Sequence, residues 1–65
     1  MIVTVNGKPR EVVGRTVADL LAELGLEGQF ALVERNGEPV ERDAYTRFEL
    51  REGDSLVVAR PVAGG

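Results

Sequence analysis

Two Asn-Gly dipeptides, at positions 6–7 and 36–37, constrain the fold of this chain more than any other feature. Both central residues of a type I′ turn need positive φ, and Asn-Gly meets that requirement at low cost. The first dipeptide lies between the β-branched run Ile2–Val5 and a second run that ends at Val13. The sequence therefore predicts an N-terminal β-hairpin, and a second turn of the same kind after the apolar segment Phe30–Val33.

A short amphipathic helix is predicted directly after this hairpin. Thr16 stands three residues before Asp19, as at a capped helix N-terminus, and Gly25 is the glycine that typically follows a helix. The apolar side chains between them are spaced i, i+3, i+4 and i+7, at Val17, Leu20, Leu21 and Leu24. So short a helix is not stable alone, and its apolar stripe must pack on the hairpin.

The second half of the chain is predicted to contain strands joined by turns. Phe30–Val33 is apolar on both faces, as expected for a strand inside a sheet. Pro39 restricts the next segment, Val40–Arg42, to an edge strand at most, because proline cannot donate to a strand ladder. Asp43–Phe48 is expected to be an irregular or single-turn connection, and Ser55–Ala59 the last strand.

This order of elements indicates an α+β protein of the ubiquitin-like β-grasp class, with a mixed sheet of four to five strands packed on one helix. In that topology the first and last strands are central neighbours. We predict a β-grasp domain over residues 1–59 and a flexible C-terminal Gly-Gly tail over residues 60–65. Six extended residues span about 20 Å, and Gly64 and Gly65 have no side chain to obstruct a narrow cleft.

The composition restricts the chemistry available to the chain. Its 65 residues include no cysteine and no histidine, which excludes a thiolate nucleophile, an imidazole base and the common zinc sites. The net charge of −3, with acids and arginines interleaved, argues against nucleic-acid binding. No apolar stretch has the length of a membrane span and the N-terminus does not resemble a signal peptide, so we expect no membrane association and a cytoplasmic location.

The acidic residues in the second half of the chain raise the alternative of an active site with paired carboxylates. With 11 acids among 65 residues, close pairs are expected by chance, and no histidine accompanies them. We therefore favour ordinary surface charges. The residues concerned are Glu38, Glu41, Asp43, Glu49, Glu52 and Asp54.

The last strand also predicts a surface for docking a partner. If Leu56 and Val58 face the helix, the alternate residues lie on the open face of the sheet, where apolar side chains are candidates for protein contacts. Ordinary apolar surface and a solvated arginine remain the alternatives. The candidate docking residues are Val57, Ala59, Arg60, Pro61 and Val62.

Over essentially its whole length, the sequence resembles the ThiS family of bacterial sulfur carrier proteins from thiamin synthesis. The resemblance rests on the segments TVADLLAELGL, NGEPVER and LREGDSLVVARPVAGG. Its most specific parts are the Gly53-Asp54 turn and the ending Val62-Ala63-Gly64-Gly65. The sequence departs from the family pattern at Glu41, where proline is common, and at Val57, where an acid is common; the second departure affects an exposed face that partners could contact.

The resemblance implies a carrier that is a substrate of enzymes and not itself a catalyst. A ThiF-like, E1-type activating enzyme would use ATP and magnesium to adenylate the carboxylate of Gly65, with Gly64 as the slender approach to it. Sulfur from a persulfide that originates with a cysteine desulfurase would then produce a C-terminal thiocarboxylate. That group would donate sulfur to a ThiG-like thiazole synthase, while the chain itself would bind no cofactor and no metal.

Two other functions remain open at this stage. A MoaD-type carrier, the small subunit of molybdopterin synthase, shares the fold and the Gly-Gly end, although such chains are generally longer. A ubiquitin-like interaction module would bind through its sheet face, and its Gly-Gly end would be incidental. A terminal carboxylate that no enzyme activates would favour the interaction module.

Overall fold

The computed structural model describes residues 1–26 and 30–60 of the chain. Within these ranges, five strands form one mixed sheet in the order β2-β1-β5-β3-β4. This order places the first and last strands side by side, as predicted for a β-grasp fold. The elements are β1 (Ile2–Val5), β2 (Lys8–Glu11), α1 (Val17–Glu23), β3 (Leu32–Arg35), β4 (Glu38–Pro39), a 3₁₀ turn (Arg42–Ala44) and β5 (Ser55–Ala59).

Both Asn-Gly dipeptides form the predicted turns. Asn6 and Asn36 have φ values of 51° and 50°, and the glycines that follow have 84° and 86°. Positive φ at both central positions allows the strands on either side to pair tightly. The first turn joins β1 to β2, and the second joins β3 to the short edge strand β4.

The N-terminus of α1 is capped as the sequence predicts. The Thr16 hydroxyl accepts a hydrogen bond from the backbone N–H of Asp19 at 3.1 Å. The Asp19 carboxylate in turn accepts hydrogen bonds from the backbone N–H groups of Arg15 at 2.9 Å and Thr16 at 3.1 Å. Gly25 follows the helix with a φ of 78°. At seven residues α1 is too short to cross a membrane, and the described ranges contain no longer apolar helix that could.

The hydrophobic core lies between α1 and one face of the sheet. Val17, Leu20 and Leu21 of the helix are buried against side chains of the central strands, and Leu24 is partly buried beside them. The domain has no cysteine with which to form a disulfide, so its stability depends on the burial of these few side chains. The buried strand and loop residues are Val3, Val12, Ala31, Val33, Val40, Leu50 and Leu56.

The end of the hairpin differs from the prediction. β2 stops at Glu11 instead of continuing to Val13, and the Val13 side chain is 89 % exposed. The cause is the Glu23 carboxylate at the end of α1, which accepts hydrogen bonds from the N–H groups of Val13 at 3.2 Å and Gly14 at 2.7 Å. These contacts direct the chain away from β1 toward the helix.

The strands of the second half begin and end at other residues than predicted. β3 begins at Leu32, not at Phe30, because its first partner on β5 is Ala59, the last residue of that strand. The edge strand is Glu38–Pro39, and Val40–Arg42 is not a strand. The Val40 side chain is buried in the core instead, and the 3₁₀ turn already begins at Arg42.

Asp54 joins three parts of the fold and is 6 % exposed. Its carboxylate accepts hydrogen bonds from the Arg51 backbone N–H at 2.8 Å and from the Asn36 amide at 3.3 Å, and it lies 3.7 Å from the Arg35 guanidinium. Its backbone carbonyl accepts a hydrogen bond from the Thr4 N–H at 2.8 Å. The residue therefore satisfies donors from β1, from the β3–β4 turn and from the loop before β5.

We predict that Asp19→Asn lowers the stability of the protein in a pH-dependent way. The hydrogen bonds from Arg15 and Thr16 hold the pKa of Asp19 below its ordinary value of 3.8. A carboxyl group with a lower pKa in the folded state stabilises the fold above its unfolded pKa, and this contribution is lost as the pH falls through the folded pKa. The free energy of unfolding of the unchanged protein and of Asp19→Asn can be measured with urea between about pH 2 and pH 7, on both sides of the ordinary aspartate pKa of about 4. The difference between the two proteins should vanish at the acid end of this range. A difference that is constant across this range would contradict the prediction.

Candidate functional site

β5 is the strand from which residues 60–65 continue, and it is held on both sides. It pairs in parallel with β1 through Thr4 and Val5, and antiparallel with β3 along all four residues of that strand. Arg60 lies exposed directly after its last residue. The end of β5, where residue 60 follows, is therefore tied to the middle of the sheet.

The side chains of the two turn asparagines extend this pairing. Asn6 uses both atoms of its amide: the oxygen accepts from the Val58 N–H at 2.9 Å, and the nitrogen donates to the Val58 carbonyl at 3.0 Å. Asn36 acts at the other end of β5, where its amide oxygen accepts from the Ser55 N–H at 2.9 Å. Each side chain thus adds ladder-like hydrogen bonds beyond the strand that precedes it. The sequence indicated only the turn role of these residues.

Two residues of the apolar strip that the sequence predicts, Val57 and Ala59, lie on the open face of the sheet. Leu56 is fully buried and Val58 packs against the core, whereas Val57 is 49 % exposed and Ala59 is exposed. Leu32 lies opposite Ala59 in the antiparallel ladder and is 52 % exposed. We call Leu32, Val57 and Ala59 the open-face strip. Contiguous exposed apolar side chains of this kind are candidates for contact with another protein.

The sequence does not predict that Leu32 belongs to this strip. The apolar pattern of Phe30–Val33 predicts burial on both faces of the sheet, but only Ala31 and Val33 are in the core. Leu32 faces solvent, and Phe30 is 47 % exposed with the Arg42 guanidinium 4.0 Å from its ring centre. The alternation of large and small side chains along this segment was the available signal.

The predicted tail residues cannot be placed in the same way. Pro61, Val62, Gly64 and Gly65 lie outside the described residues. The predicted roles of Pro61 and Val62 in docking, of Gly64 as the approach and of Gly65 as the reacting residue therefore stay predictions. The same holds for the boundary that separates a domain over residues 1–59 from a tail over residues 60–65.

Several of the acidic side chains considered as a paired-carboxylate site have structural contacts instead. The Glu52 carboxylate accepts the backbone N–H of Ile2, with both oxygens 3.1 Å from the nitrogen. Glu49 lies 4.0 Å from the Arg15 guanidinium, and Asp54 is engaged as described above. Across residues 1–26 and 30–60, no group of three or more potential ligands could hold a metal ion.

Comparison with known protein families and curated sequences relates the chain to sulfur carriers. The model of the ThiS family matches residues 3–65. The sulfur carrier protein ThiS of Bacillus subtilis is 38 % identical over 50 residues, which make up 77 % of this chain and 76 % of that protein. A thiazole synthase of Paramagnetospirillum magneticum is 35 % identical over 66 aligned residues; the match includes all of this chain, which spans only 20 % of that longer protein.

Comparison with solved structures gives the same relationship for the fold. The crystal structure of the thiamine biosynthesis protein ThiS from Geobacter metallireducens superposes with a TM-score of 0.81 and 36 % identity, and each chain is covered completely. A solution structure of a thiamine biosynthesis protein from the same organism gives a TM-score of 0.79 over all of this chain and 88 % of the other. The predicted ubiquitin-like β-grasp fold is confirmed by this agreement.

We predict that Asn6→Gly loosens the end of β5. Glycine keeps the positive φ of the turn but removes both hydrogen bonds to Val58. The Val58 N–H itself loses one of these hydrogen bonds. Its amide exchange should therefore accelerate about fivefold to tenfold, which corresponds to the free energy of one hydrogen bond. Asn36→Gly is the matched control, because it removes the contact with Ser55 at the other end of the strand. Equal acceleration at Val58 in both variants would contradict a local role for Asn6.

Proposed function

Because this chain belongs to the ThiS family of sulfur carrier proteins, we propose that it carries sulfur as a thiocarboxylate on Gly65 for thiazole formation in thiamin biosynthesis. The observation that supports this proposal most is the family match, which extends through the Gly-Gly end at residue 65. The pairing of β5 with both neighbours is consistent with it, since a rigid base lets a tail be inserted into an enzyme while the domain stays folded.

The chemistry proposed for Gly65 begins with activation of its carboxylate. A carboxylate at neutral pH is a poor electrophile, so one oxygen must first become a leaving group. A ThiF-like activating enzyme would transfer AMP from ATP to this oxygen, with magnesium and release of pyrophosphate. The terminal sulfur of a persulfide from a cysteine desulfurase then attacks the carbonyl carbon, and AMP leaves. Cleavage of the resulting S–S bond by a thiol frees the thiocarboxylate.

The chain contributes the shape of the substrate to these steps. Gly64 and Gly65 have no Cβ, so the activating enzyme can bring its phosphate-binding backbone close to the carboxylate. The chain has no cysteine or histidine with which to perform nucleophilic or general-base catalysis of its own. We therefore assign ATP and magnesium to the activating enzyme and describe the chain as a protein substrate in the cytoplasm, not as an enzyme.

A thiazole synthase is the proposed acceptor of the sulfur. The similarity to one fifth of a longer thiazole synthase from Paramagnetospirillum magneticum supports a close association between such a carrier and a ThiG-like enzyme. The open-face strip and Arg60 are the candidate contacts, because they lie at the end of β5 from which the tail continues. A partner that takes up the tail would pass directly over them.

We predict that the untagged protein gains the mass of one sulfur in exchange for one oxygen when it is incubated with a ThiF-like enzyme, ATP, magnesium, a persulfide source and a thiol reductant. Deletion of Gly65 should abolish the gain. Gly65→Ala should reduce it severely, because the added Cβ obstructs approach to the carboxylate. Intact-mass spectrometry measures the product, and circular dichroism checks that the variants are folded.

The outcome of this experiment separates a sulfur carrier from a ubiquitin-like interaction module whose Gly-Gly end is incidental. No mass gain with an activating enzyme that is competent on the Bacillus subtilis carrier would overturn the sulfur carrier role. A normal mass gain in the folded Gly65→Ala protein would leave that role intact but refute the steric explanation for the terminal glycine.

We predict that Val57→Lys weakens binding to a ThiG-like thiazole synthase at least about tenfold, since burying a charged ammonium group at an apolar interface removes its hydration. The sheet should tolerate the change, because Glu34 lies directly opposite Val57. Val13→Lys is the matched control: Val13 is exposed but lies at the end of the hairpin, away from the strip. Isothermal titration calorimetry with each variant measures the affinity, and equal weakening by both would rule out docking through the strip.

A further inference from the structure

A groove lined mainly by arginine lies at the other end of β5. It has a volume of about 610 Å³ and is formed between the end of β3 and the segment that leads toward β5. Leu56, near the start of β5, is paired with Arg35 of β3. Arg60 is four positions after Leu56, so this end of β5 is about 13 Å along the strand from Arg60. The lining residues are Arg35, Arg47, Phe48, Glu49 and Arg51.

The groove has an excess of positive charge that nearby acids do not cancel. Arg35 lies 3.7 Å from the Asp54 carboxylate, and Glu49 lies 4.0 Å from the guanidinium of Arg15. Arg47 donates a hydrogen bond to the backbone carbonyl of Asp43 at 2.9 Å, and this neutral acceptor does not cancel its charge. Within the part of the chain that the structure describes, the Arg51 guanidinium has no hydrogen bond or ion pair.

Phe48 contributes an apolar ring to the lining of the groove. Its ring is partly buried against the core, and the Arg35 guanidinium lies 4.9 Å from the ring centre. This contact and the ion pair with Asp54 hold Arg35 in place from two sides. Arg47 and Arg51, by contrast, are exposed and can turn toward a ligand.

We propose that this groove binds a carboxylate-rich segment of a partner protein. The planar guanidinium fork matches a carboxylate in two parallel hydrogen bonds, and Phe48 accommodates the methylene groups of glutamate side chains. The three arginines are spread over an open surface, which suits an extended acidic segment better than one small anion. The chain as a whole carries a net charge of −3 and therefore repels an acidic segment in general. Only a local excess of positive charge, such as that of this groove, would attract one.

The groove shares none of its lining residues with the proposed sulfur chemistry, so the two can be tested separately. A partner segment in the groove would leave the open-face strip and residues 60–65 accessible to the same partner or to another. If the groove does not bind acidic segments, the proposed carrier function is unaffected. If the carrier function is wrong, the groove can still bind an acidic segment of a partner.

The test is titration of the ¹⁵N-labelled protein with a hexaglutamate peptide at low salt, followed by NMR of the backbone and arginine Nε signals. Shifts should be confined to the five lining residues and their neighbours and should weaken as salt is added. Arg47→Gln combined with Arg51→Gln should weaken binding about threefold to tenfold, as expected for two exposed charges. Both side chains are exposed, and Arg35 is left unchanged because it pairs with the buried Asp54.

The matched control removes the same charge elsewhere. Lys8→Gln combined with Arg42→Gln alters two exposed cations outside the groove and should leave the affinity for hexaglutamate unchanged. Equal weakening by both double variants, shifts spread over the whole surface, or the absence of binding would overturn the proposal. Inorganic phosphate that binds the groove as tightly as hexaglutamate would also overturn it, because the site would then serve a small anion.

Discussion

The parallel pairing of β1 with β5 is the constraint on which the rest of this structure depends. Parallel neighbours cannot be joined by a tight turn, so the chain between them must cross over one face of the sheet. α1 lies on that face and buries Val17, Leu20 and Leu21 against the strands. β3 then pairs with the other edge of β5, which leaves the last strand in the middle of the sheet. Strand order thus places the end of β5 in the middle of the sheet.

The two Asn-Gly turns show how few residues are needed to secure this arrangement. Each turn closes a hairpin through positive φ, and each asparagine side chain then bonds to β5. Asn6 contacts Val58 near the end of that strand, and Asn36 contacts Ser55 at its start. In a domain of 65 residues without disulfides, hydrogen bonds that join distant segments restrict local opening of the strand. One dipeptide therefore specifies the hairpin and also ties the hairpin to the centre of the sheet.

The features that could be predicted from the sequence are those set by neighbouring residues. The capped helix depends on Thr16 and Asp19, three residues apart, and the turns depend on adjacent residues. The end of β2 could not be predicted, because it depends on the carboxylate of Glu23 ten residues away. Leu32 belongs to the open-face strip only because β3 pairs with β5, and that pairing joins Leu32 to Ala59, 27 positions later in the sequence. The arginine groove likewise forms only when β3 and the loop before β5 meet.

The two ends of β5 have different physical properties: exposed apolar side chains lie at one end and arginines at the other. The open-face strip is apolar and small, which favours contacts that form and dissociate without large rearrangement. The groove is charged, and charge acts over a longer range and orients a partner before contact. Because β5 is held by its neighbours on both sides, binding at one end need not disturb the other. If the groove and residues 60–65 each bind a partner as proposed, the two partners therefore need not compete for one surface.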